Sequence, residues 1–160
     1  MLRVQAADPG EPVPSPRRPD LLHTLGATLS WVAGLTLMVS SFTGWYSSKP
    51  PADPPVAVLG WDTGALGRLV FFCGAALVLL TVLRKVGVAL PRGVPESLLV
   101  LALGVLATIF VLIRLISVPG DLVETAERGI GLWISLAAGV SVILAGFVQA
   151  ADEARRPAPR

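Results

Sequence analysis

The residues of this chain that could carry chemistry are few, and three short stretches hold most of them. "GWDTGALGR" (60–68) contains Trp61, Asp62 and Arg68, and Arg114 interrupts the apolar run "TIFVLIRLIS" (108–117). "GDLVETAER" (120–128) adds Asp121, Glu124, Glu127 and Arg128. Guanidiniums and carboxylates set near one another form bidentate ion pairs; left open, they hold a lipid headgroup or a charged segment of another protein. Two readings therefore stand for Trp61, Asp62, Arg68, Arg114, Asp121, Glu124 and Arg128: ion pairs that close and anchor the fold, or a small polar site.

Catalytic sets are not visible. His23 is the single histidine and Cys73 the single cysteine, so neither a disulfide nor a Cys/His metal set can be built within one chain. No phosphate-binding glycine loop, zinc-protease signature or Ser-His-Asp arrangement appears. Glu96 opens an apolar block and Asp152 follows another, so neither places a carboxylate in the middle of one, where proton-coupled transport would need it. The sequence reading is accordingly not an enzyme, with no catalytic residue, no cofactor and no metal.

What must position these residues is a chain built for hydrocarbon. Hydrophobic residues make up 53% and charged residues 15%, with a mean hydropathy of +0.70; a soluble domain carries about 25% charge. The net charge of +2 is too small and too scattered for a nucleic-acid face. Four apolar blocks predict helices at about 22–46, 63–86, 94–117 and 127–152. Each approaches the roughly 20 residues that cross a bilayer, and only helices satisfy their own backbone within one such segment. Short links force sequential helices to lie side by side. The expected fold is all-α: one four-helix transmembrane bundle, antiparallel and up-and-down, over residues 21–151.

The flanks differ in kind. Residues 1–20 and 152–160 are rich in proline and charge without periodicity, and are expected to be disordered tails; the first lacks the apolar core of a secretory signal. The loop 47–62, with "KPPADPP", is expected to be extended and loosely packed, with Trp45, Tyr46 and Trp61 at the membrane boundary. "SVPGDLVETAER" has room for a turn of surface helix. Of the thirteen lysines and arginines, nine fall in the tails and the link between the second and third helices, and four fall on the other side. The positive-inside rule then puts both termini in the cytoplasm of a plasma-membrane protein.

Small residues recur at helical spacing: Gly26, Ser30 and Gly34; Gly67 and Gly74; Gly104 and Thr108; Gly131, Ser135, Gly139 and Gly146. Such stripes let helix backbones approach closely, within one bundle or between copies. The partners expected are the bilayer and another membrane protein, or a second copy through these Gly/Ser faces, and no nucleic acid.

The order of "TGWY" (43–46), "GWDTGALGRLVFF" (60–72), "RLISVPGD" (114–121) and "RGIGLWISLAAG" (128–139) resembles a group of small four-span membrane proteins of unknown function found in actinobacteria. The likeness covers about residues 21–151, with Gly44 standing where a proline is common. It marks Trp45, Trp61, Asp62, Arg114, Arg128, Gly131 and Trp133 as matched positions, and implies a plasma-membrane location without supplying an activity. The expected role is a non-enzymatic accessory or structural membrane subunit. The alternative is a small-solute or lipid-handling protein that uses the polar cluster.

Overall fold

A computed structural model describes residues 21–48, 57–88, 95–117 and 126–155. Among these residues are four helices: α1 (Leu21–Ser40), α2 (Ala65–Lys85), α3 (Glu96–Ile116) and α4 (Ile130–Arg155). The last three, of 21, 21 and 26 residues, are long and apolar enough to cross a membrane. In α1 the apolar stretch is shorter, Thr24–Ser40. Both predicted tails lie largely outside the described residues, except that Asp152–Arg155, expected in the second tail, continue α4.

The helices close into an antiparallel ring, each packed on its neighbours in sequence and α1 on α4. Its waist is apolar and tight: Ala33, Leu37, Cys73, Leu77, Ala107, Val111, Ala138 and Val142 are buried. The small-residue stripes are spent inside this ring. A Cβ on Gly74 would lie 2.7 Å from the Gly34 carbonyl, one on Gly104 2.8 Å from Val142, and one on Gly139 2.6 Å from the Thr108 hydroxyl. At such distances backbone meets backbone or a short side chain, and dispersion accumulates where a hydrophobic drive between helices is absent.

One end of the bundle differs from the all-α expectation. The first helix does not run to residue 46; it stops at Ser40, and Gly44–Ser48 forms a strand, β1. Hydroxyls stop it. Ser40 and Ser41 donate to the Leu37 carbonyl at 3.0 Å, and Thr43 donates to that of Ser40 at 2.7 Å, so side chains satisfy the last carbonyls of the helix. Ala57–Leu59 (β2) and Ala126–Arg128 (β3) pair antiparallel on either side of β1, in the order β2-β1-β3. The loop expected over 47–62 thus ends in a paired strand and a 3-10 helix, Gly60–Thr63. β3 takes residues assigned from sequence to the start of the fourth helix, which begins at Ile130 instead. The possible turn of helix in the acidic link lies outside the described residues, apart from β3.

Turns at the opposite end follow local chemistry. After α2 the Val88 amide bonds to the Leu83 carbonyl and that of Gly87 to Arg84, with Gly87 at φ +81°. This is the closing pattern in which a glycine takes the left-handed position and spares the terminal carbonyls.

Candidate functional site at the sheet end

Trp45 and Tyr46, expected as boundary aromatics, have no accessible surface. Consecutive strand residues normally point to opposite faces, but the β1–β2 register is irregular between Gly44 and Tyr46, which helps both to be buried. The Trp45 indole donates to the Ser40 carbonyl at 2.9 Å. Glycines make room for its ring: a Cβ on Gly60 would sit 2.5 Å from it, and one on Gly131 2.8 Å. The Tyr46 hydroxyl donates to the Arg114 carbonyl at 2.7 Å, tying β1 to the end of α3. Burial pushes its phenol pKa up, and the guanidiniums of Arg114 and Arg128 pull against that rise.

Arg114 is half-buried. Its guanidinium donates to the Thr63 carbonyl, beside Gly64, and bridges α3 to the turn before α2. Its Nε is buried and has no hydrogen-bond partner. The ion-pair reading of the polar cluster offers Arg114 a carboxylate at Asp62 or in the acidic link. Asp62 is exposed and does not pair with it, because the 3-10 turn presents a backbone carbonyl instead. Arg128 is exposed, and its Nε donates to the Leu115 carbonyl at 2.8 Å. With the Tyr46 bond to Arg114 beside it, two terminal carbonyls of α3 are satisfied, and a cation sits where the helix dipole favours one. Asp121 and Glu124 lie outside the described residues.

Trp61 and Arg68 form a second group. Trp61 is half-buried, stacked on Phe42 at 5.5 Å between centroids and edge-on to Phe71 at 5.3 Å. Phe72 touches both Trp61 and Phe71. The Arg68 guanidinium lies over the Trp61 ring, 5.7 Å from its centre. No family model and no curated protein matches this chain. Its chemistry is therefore read from its own residues.

The five predicted residues that lie among the described ones fall into two groups. Arg114 and Arg128 are struts at the end of α3, Trp61 and Arg68 belong to an aromatic patch, and Asp62, between Trp61 and Arg68 in sequence, is exposed. Among the described residues no group of three or more His, Cys, Asp or Glu side chains is placed to hold a metal. Cys73 is buried in the waist with apolar neighbours.

A polar network at the opposite end was missed from sequence. Gln149 is buried, and its amide nitrogen lies 2.8 Å from the Ser30 hydroxyl and 3.1 Å from the Gly26 carbonyl. Glu153 accepts bonds from the Ser97 hydroxyl and amide at 2.6 and 3.3 Å, and Arg84 pairs with Glu96 at 3.2 Å. Asp152 is buried in α4. The signal was present: Ser135, Val142 and Gln149, and Gly131, Ala138, Ala145 and Asp152, recur every seven residues along the inward face. That period carries the small-residue stripe to the end of the helix.

Proposed function

We propose that this is a multi-pass plasma-membrane protein with four spans and both termini in the cytoplasm, acting without catalysis as an accessory or structural subunit. The observation that carries the reading is the distribution of buried polarity. Ser40, Ser41, Thr63 and Ser135 lie toward the sheet end, and Ser30, Thr81, Ser97, Gln149 and Asp152 toward the other, with Ala33, Leu37, Leu77, Ala107, Ala138 and Val142 forming the apolar waist between them. A water-filled or ion-conducting path needs polar groups along its length; a scaffold needs a closed, rigid middle. α1 serves as the fourth span in this reading. Its 20 residues extend over about 30 Å, and it packs along both α2 and α4. The charge asymmetry of the links sets the orientation. The sheet end, braced by Trp45, Tyr46 and Arg114, then forms a stiff extracytoplasmic cap suited to presenting a surface to another membrane protein. Membership of the small actinobacterial-type group belongs to the same proposal.

Affinity purification from native membranes in a mild detergent tests it. A stoichiometric companion protein is the expected result. A chain that purifies alone, with turnover or transport of a small solute after reconstitution, overturns it.

A further inference from the structure

The aromatic patch leaves its outer rings uncovered. Phe42, Trp61, Phe71 and Phe72 pack ring on ring, yet Phe72 is 57% and Phe42 49% exposed, and neighbouring Leu69 is 41% exposed. The cation beside them is equally uncommitted. Arg68 is exposed, and among the described residues no ion pair joins it to Asp62 or Glu127, so neither carboxylate neutralises it. Its position is nonetheless defined, since the guanidinium rests over the Trp61 ring rather than extending freely. Arg68 and Phe72 stand one turn apart on the same face of α2, and α2 runs from the sheet end into the bundle. The charge therefore sits at the helix end, and the exposed rings lie about 6 Å deeper. From the end inward the order is guanidinium, aromatic ring, aliphatic chain.

We propose that Arg68 binds the phosphate of a phospholipid whose acyl chains lie on Phe42, Leu69 and Phe72. A planar guanidinium suits a phosphate oxygen pair, and its open edge is free to donate two parallel hydrogen bonds. The rings supply an apolar wall at the depth of the glycerol and upper chain. The site rests on the membrane reading above and adds a ligand to it. It differs from a general aromatic belt in being one defined position, dependent on one arginine.

The test uses the full chain purified in a maltoside detergent, with native mass spectrometry and thermal unfolding as readouts. Dioleoyl phosphatidylglycerol, dioleoylglycerol and sodium phosphate are added in separate samples. One phosphatidylglycerol retained per chain and a raised unfolding temperature are expected, with no such effect from dioleoylglycerol or phosphate alone. Arg68→Gln should lower retention at least fivefold while leaving the lipid-free unfolding temperature unchanged, and Arg128→Gln should leave retention unchanged. Equal retention by the wild type and Arg68→Gln, or equal retention of dioleoylglycerol, overturns the site in favour of general interfacial contact. Stabilisation by sodium phosphate alone overturns the lipid assignment in favour of a free-anion site. Alkaline carbonate extraction of the expressed chain separates these failures from that of the membrane reading: release into the supernatant would reject the reading itself.

Discussion

At the residue scale, Arg114 and Tyr46 show how one partner decides what a side chain is for. The sequence offers Arg114 a carboxylate at Asp62 or in the acidic link; of these only Asp62 lies among the described residues, and the fold gives the guanidinium the carbonyl of Thr63, the residue after Asp62. Arg114→Leu should therefore cost about 1–3 kcal/mol, because it leaves the Thr63 carbonyl without that donor. Asp62→Asn should change stability by less than about 0.5 kcal/mol, as exposed positions do. Their double mutant should be additive within about 0.5 kcal/mol in detergent unfolding; a larger coupling would place the carboxylate on the guanidinium after all. Tyr46→Phe removes the bond to the Arg114 carbonyl and should cost about 0.5–1.5 kcal/mol. Tyr46 is the single tyrosine, so the same variant isolates a pH effect. Its pKa is raised in the folded chain, so the unfolded chain loses the proton first, near pH 10. The unfolded state then binds fewer protons, and stability falls as pH rises above that value. Unfolding curves between about pH 9 and 11 should show this decline in the wild type and lack that component in Tyr46→Phe.

At the element scale, glycine contacts hold the helices together and a small sheet closes one end. Gly74→Ala should destabilise by about 1–3 kcal/mol, because the new methyl meets the Gly34 carbonyl and the Leu37 side chain, and a backbone cannot retreat as a side-chain tip can. Leu79→Ala, on the exposed outer face of α2, should cost far less in the same thermal assay. Replacing Ala57–Leu59 by Gly-Ser-Gly should lower the unfolding temperature by several degrees, since β2 pairs with β1 and Val58 packs against the core. Insensitivity there would show that β2 adds nothing to the cap. The helices were legible because apolar block length is a strong local signal, and α2 and α3 end within two residues of their expected limits. The strands were not. Each of β2 and β3 has three residues, too few for a local period to announce it, and β3 finds its partner far away in sequence, Arg128 opposite Tyr46.

At the scale of the whole molecule, the charge bias and the ring of helices together give a topology that labelling can check. On a Cys73-free background, cysteine at position 53 should react with a membrane-impermeant reagent from outside. Cysteines at positions 10 and 88 should react only after permeabilisation, and the reverse pattern would invert the orientation. The sequence by itself determined the helices: blocks of about 20 apolar residues with few charges give segments long and apolar enough to cross a membrane, each able to satisfy its backbone polar groups within itself. It also determined which faces are narrow, since the small-residue period appears in the chain before any contact is known. Only the tertiary structure decided which stripe meets which, that Trp45 and Tyr46 turn inward, and that the arginines separate into struts and an open patch. Those outcomes rest on pairings across the sheet and between helices more than sixty residues apart, such as Tyr46 with Arg114 and Gly26 with Gln149. A side chain's partner is set by where distant backbone arrives, and residue type and spacing do not encode that locally.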